Sequence, residues 1–162
     1  MAKGFRRCVV PSYESHRLKE MVWKLRDVDS LPYKFNREPI HGPDDFAQMY
    51  AFLFHEEPTE KMVVFVMNTR QLCVAVDTIC KGSIDSAPVH PREVFRSAIG
   101  CGGSSIMLAH NHPSGGTEPS HEDLSVTRQL VEAGKILGIR VTDHIIFGSQ
   151  GRYTSFVERN LI

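Results

Sequence analysis

Two histidines one residue apart, His110 and His112, close the apolar run "SSIMLAH", and Ser120 and Asp123 follow across a loop broken by Pro113 and two glycines. Side chains at i and i+2 of a strand point to the same face, so His110 and His112 converge at the strand end while Asn111 points away. Asp123 opens the next helical segment and can fold back beside them. Two imidazoles and one carboxylate leave a fourth tetrahedral position for water, the open arrangement of a catalytic zinc rather than a structural one. A second reading needs no metal. The histidines can be solvated loop residues, and Ser120-His121-Glu122-Asp123 is a capping-box pattern that satisfies helix N–H groups by itself. The two roles are compatible, because the positive end of a helix dipole favours a carboxylate with or without a cation.

The rest of the chain must position these groups. At 162 residues and 41% apolar content it has the material for one domain with a real core. Lys plus Arg balance Asp plus Glu at 19 each, so no global field draws it towards nucleic acid or anionic membrane. Weak, salt-sensitive binding to duplex DNA is expected. The four cysteines (Cys8, Cys73, Cys80, Cys101) form no CxxC pair and lie mostly in or beside apolar runs. They read as free thiols in a reducing, cytoplasmic setting, without structural zinc on sulfur. No apolar run approaches the roughly 18 residues of a membrane span, and the N-terminal stretch lacks a signal-peptide core.

Residues 1–42 read as an arm or cap, with a short strand at Arg7–Val10, a helix-like "SHRLKEMVWKLRD" and a Pro-broken tail. Residues 43–162 read as one α/β domain. "PDDFAQMYAFLF" predicts a helix with Pro43 and two acids in its first turn. "KMVVFVMN" and "LCVAVDTI" predict a hairpin of core strands. "APVHPREVFRSAIG" predicts a helix opening at Pro91 and closing at Gly100, and "SSIMLAH" a buried strand. A long helix, with Leu124, Thr127, Leu130, Val131 and Leu137 on its apolar stripe, stops at Gly138 before a final strand, "IRVTDHIIFG". The sum is a layered domain whose strands alternate with helices.

The frame H-x-H-x7-S-x-x-D, here His110, His112, Ser120 and Asp123, resembles the signature of the JAB/MPN (JAMM) metalloprotease family. "SAPVHPREVF", "AHNHPSG" and "DHIIFG" resemble its bacterial RadC branch. The likeness covers roughly Pro43 to Ile162. It implies a cytidine-deaminase-like mixed central sheet flanked by helices, one Zn2+ held by His110, His112 and Asp123, and hydrolysis of a peptide or isopeptide bond. It places Glu60, at the head of "KMVVFVMN", as general base, with Asp77 the second choice, and gives Ser120 the role of donor to the developing oxyanion. RadC-like proteins often carry a helix-hairpin-helix module ahead of this domain, and the first forty residues show no such pattern. The family's association with DNA repair makes a nucleic-acid-associated hydrolase or accessory factor the alternative enzyme reading. A non-catalytic MPN-type scaffold is the alternative from another class.

Other groups carry less. His144 sits among apolar neighbours and reads as a core histidine or one supporting the ligands. His90 is explained by helix entry, Arg92 by an ion pair, and His121 by the loop corner. "HEEPT" and "HEDLS" lack the second histidine of HExxH, and the P-C-x-x-C of zinc deaminases is absent.

Overall fold

The computed structural model describes residues 9–11, 23–25, 38–55, 57–82 and 89–162. In chain order, β1 (Val9–Pro11) pairs antiparallel with β2 (Trp23–Leu25). The helix expected over Ser15–Asp27 therefore contains a strand near its C-terminal end. Pairing with Val9–Pro11 gives its backbone the partners that a lone helix would have supplied itself. The remainder of that expected helix lies outside the described residues.

Helix α1 (Pro43–Tyr50) has Pro at its start and Asp44 and Asp45 in its first turn, where the dipole favours anions. It tightens into a 3-10 turn at Ala51–Leu53. Strands β3 (Lys61–Met67) and β4 (Cys73–Lys81) form the expected antiparallel hairpin. Helix α2 (Pro91–Cys101) runs past Gly100 and stops where Gly102 turns left-handed, φ 64°. Strand β5 (Ser105–Asn111), helix α3 (His121–Leu137) and strand β6 (Arg140–Phe147) follow at the expected places. A short β7 (Tyr153–Ser155), not anticipated from the sequence, closes the sheet; three residues carry too little periodicity to be seen locally.

The sheet order is β4-β3-β5-β6-β7, mixed because β5 and β6 are parallel while every other pair is antiparallel. It is buried on both faces. Met62, Val64, Val66, Ile106 and Leu108 face Val94, Phe95 and Ala98 of α2 and Leu130 of α3. Val63, Phe65, Met107, Ala109, Ile145 and Phe147 face Phe46 and Tyr50 of α1. Each large side chain so buried contributes about 1.5–3 kcal/mol. This is the mixed sheet flanked by helices that the resemblance implied.

On α3 the buried face is Asp123, Thr127, Leu130 and Gly134, while Leu137 is exposed. The expected stripe thus turns away from Leu137 to Gly134, where α3 lies close against Ile139 and Phe95. A Cβ at Gly134 would stand 2.5 Å from the Ile139 carbonyl oxygen and 3.2 Å from Phe95 Cζ. Cys73 and Cys80 are free thiols. Cys101, the half-buried last residue of α2, is disulfide-bonded, which corrects the expectation of free thiols throughout. Cys8 lies outside the described residues. Among the described residues no helix is long and apolar enough to cross a membrane.

Candidate metal centre

The pleat of β5 delivers His110 to the face covered by α2 and α3, and His112 follows on the same side just past the strand end, its N–H donating to the Phe147 carbonyl at 3.0 Å. The two Nε2 atoms lie 3.0 Å apart. Asp123 completes the trio from the first turn of α3, with Oδ1 3.2 Å from His110 Nε2 and Oδ2 3.4 Å from His112 Nε2. The loop between the histidines and α3 is pinned by Gly115. Its φ of +80° and its contact with Ser149, whose Cβ is 3.0 Å from where a Gly115 Cβ would sit, disfavour any side chain, and Ser149 N–H donates to its carbonyl at 3.2 Å.

Ser120 is the N-cap of α3. Its hydroxyl accepts from Asp123 N–H at 3.0 Å and donates to Asp123 Oδ2 at 2.7 Å, and Ser120 N–H donates to the same oxygen at 2.8 Å. The capping box therefore forms while Asp123 stays beside both histidines. Ser120 occupies Oδ2, and Oδ1 is turned to His110.

Glu60 arrives by register. Met62 pairs with His110 across β3 and β5, so two residues further out Glu60 falls opposite His112, on the same face. Its Oε1 is 3.9 Å from His110 Nε2. One ligand atom from each of Glu60, His110, His112 and Asp123 lies within 4.8 Å of the others. The accessible side of the site is that of His112 and Glu60: their side chains are 17% and 21% exposed, those of His110 and Asp123 0% and 2%. Asp77 is not in this group. It points to α2, accepting a hydrogen bond from the Ser97 hydroxyl and lying 3.8 Å from Arg96, away from the two histidines.

Sequence reasoning passes over Asn111, which is buried on the opposite face. Its Oδ1 accepts from Lys61 N–H at 3.0 Å, and its Nδ2 donates to the carbonyls of Thr59 at 3.0 Å and Glu57 at 3.3 Å. Gly82 N–H donates to the Glu60 carbonyl at 2.8 Å. The segment bearing Glu60 is thus tied on both sides. The one signal for it is a polar residue at an inward strand position, which a core tolerates only when it is hydrogen-bonded.

His144 is fully buried on β6, its Nε2 2.8 Å from His110 Nδ1 and its Nδ1 2.6 Å from Thr127 Oγ1. It lies outside the group of Glu60, His110, His112 and Asp123 and hydrogen-bonds to one of its members. His90 precedes α2, Arg92 pairs with Glu93 at 3.5 Å, and His121 is exposed at the first residue of α3.

Electrostatics agree with a cation site. Burial opposes the Asp123 charge, but its close approach to His110 and His112 and its bond from the Ser120 hydroxyl hold its carboxyl well below the usual carboxylate range. The Asp123 hydrogen bond raises His112 above the usual histidine range against the effect of burial. Burial, with the neighbouring His110, holds His144 well below it, so that ring is neutral. A tetrahedral zinc with bonds of about 2.0–2.1 Å sets its ligand atoms about 3.3 Å apart. The separations among His110, His112 and Asp123, 3.0 to 3.4 Å, fit such an ion.

Comparison with known proteins agrees with this geometry. The family model described as RadC-like JAB domain matches residues 40–161. The chain is 44% identical over 130 residues to a UPF0758 protein of Moorella thermoacetica, covering 80% of this chain and 56% of that one. It is 44% identical over 133 residues to a UPF0758 protein of Alkaliphilus oremlandii, covering 82% and 57%. A UPF0758 protein of Methanosarcina mazei is 39% identical over 131 residues, covering 79% and 57%. The chain spans a little over half the length of these relatives. With a match across its whole α/β body and a metal-competent group at the end of β5, this chain belongs to the RadC-like JAB domain family.

Proposed function

We propose that the domain is a zinc-dependent hydrolase that cleaves a peptide or isopeptide bond in a peptide or protein substrate. The observation that carries this reading is the juxtaposition of a three-ligand set, His110, His112 and Asp123, with a fourth carboxylate, Glu60, on its accessible side. Three ligands rather than four is the pattern of a catalytic site, and the intact donor set supports an enzyme over a scaffold.

When bound, zinc supplies Lewis acidity, lowering the pKa of a coordinated water to about 7. Glu60 takes the proton of the attacking water on its carboxylate, held within reach by Asn111 and Gly82. As the water oxygen adds to the carbonyl carbon and the C–N bond breaks, Glu60 passes that proton to the departing amine. Ser120 donates to the developing oxyanion once its hydroxyl turns from Asp123 Oδ2, and its acceptor bond from Asp123 N–H can persist, so that α3 stays capped.

The test is Glu60→Gln, assayed on peptide and isopeptide substrates. Gln keeps size and hydrogen bonding but cannot take a proton. The expected result is full zinc content with hydrolysis lowered by a factor of about 100 or more. Full activity in the variant, or no cleavage by the zinc-loaded parent, overturns the reading.

A further inference from the structure

The buried pair His144 and Thr127 has no place in the hydrolytic steps, yet the two join one ligand to another. Thr127 Oγ1 donates to the Asp123 backbone carbonyl at 2.6 Å, His144 Nδ1 lies 2.6 Å from the same Oγ1, and His144 Nε2 lies 2.8 Å from His110 Nδ1. A hydroxyl has one proton, and a carbonyl oxygen can only accept. With the Thr127 proton given to Asp123, His144 must be the donor to Thr127, through Nδ1–H. A neutral imidazole with its proton on Nδ1 presents a lone pair at Nε2, which accepts from His110 Nδ1–H. That leaves the lone pair of His110 at Nε2, the atom facing His112 and Asp123.

We infer that Thr127 and His144 are positioning residues that lock His110 in the Nδ1–H tautomer, so that its Nε2 is presented as a metal ligand. The proton order is fixed from the helix carbonyl outward, and each bond in the chain has one permitted direction. The surroundings keep the relay still. His144 stacks on Phe156 with ring centroids 4.7 Å apart, its carbonyl accepts from Phe156 N–H at 3.0 Å, and its N–H donates to Asp143 Oδ1 at 2.7 Å. Asp143 is held in turn by the Ser155 hydroxyl at 2.6 Å and Val157 N–H at 3.0 Å. A ligating histidine ordinarily donates its second ring N–H to a carboxylate, carbonyl or water. Here the acceptor is another imidazole, so its own tautomer has to be set, and Thr127 sets it.

The inference rests on the zinc reading of the cluster, and one experiment separates the two. Long-range 1H–15N NMR of the 15N-labelled full chain, metal-free and zinc-loaded, reports which ring nitrogen of each histidine is protonated. His144 as the Nδ1–H form in both states is expected, and the Nε2–H form overturns the relay even if zinc binds. A chain that takes up no zinc sinks the function, while its metal-free spectrum still decides the relay.

Two variants then distinguish the hydroxyl from packing. Thr127→Val keeps the shape and loses the donor, whereas Thr127→Ser keeps the donor and loses a methyl. Zinc affinity, read by competition with a chromophoric chelator, is expected to fall about 10- to 100-fold in the Val variant and to stay within about threefold in the Ser variant. Equal affinities, or the greater loss in Ser, overturn the inference.

Discussion

Asn111 stands between the two histidines in sequence and holds Lys61 on the neighbouring strand in space, its Oδ1 accepting from Lys61 N–H at 3.0 Å. Strand β3 pairs with β5 through backbone groups up to Met62 and His110; at Lys61 the side chain of Asn111 takes over. The same alternation that sends His110 and His112 to the side of Asp123 and Glu60 sends Asn111 to the anchor side.

Asn111→Ala is therefore expected to destabilise the fold by about 1–3 kcal/mol, because part-buried groups at Thr59 and Lys61 lose their partner. Urea denaturation measures it. Zinc content should persist, since no ligand is removed. An unchanged denaturation midpoint would show that the anchor contributes nothing.

The donor set predicts about one zinc per chain by elemental analysis. His110→Ala and His112→Ala should each abolish tight binding, and Asp123→Asn should leave weakened occupancy, with Ser120 still capping α3. Unaltered zinc in both histidine variants sinks the site assignment.

Acidity should act with opposite signs on the metal-free fold and on zinc uptake. The pKa of His112 is raised by Asp123, so its ion pair stabilises the metal-free fold fully below the unfolded value of about 6.5 and fades as pH rises through the folded value. Zinc needs the neutral ring, so its affinity falls as pH drops below that raised value. The lowered pKa of Asp123 contributes stability above the unfolded value of about 3.9, lost as pH falls further. Denaturation of the metal-free chain and chelator competition, both across pH 5 to 8, check this on the scale where histidine titrates. A zinc affinity that stays level through that range contradicts it.

Gly134→Ala is expected to destabilise by about 1–3 kcal/mol, although alanine is the better helix former. The added methyl meets the Ile139 carbonyl oxygen at 2.5 Å, and backbone cannot turn aside as a side chain can. Thermal unfolding of the variant decides the sign. A gain in stability would mean that α3 can shift away from Ile139 without loss.

Much of this protein is legible in its local periodicity and local chemistry. The alternation of strand and helix, the convergence of His110 with His112, and the cap joining Ser120 to Asp123 each depend on residues a few positions apart. That is the range over which pleat, helical turn and capping act. Geometry beyond that range was decided by tertiary pairing. The family resemblance made Glu60 the first choice of base and Asp77 the second. The register of Met62 with His110 brought Glu60 to the site, and packing on α2 gave Asp77 to Ser97 and Arg96. The same holds for His144, whose partners Thr127 and His110 lie 17 and 34 residues away, and for the short β7, a strand only because β6 lies beside it. A hydrogen bond between distant residues leaves no period in the chain; it exists only when the sheet and α3 have closed on one another.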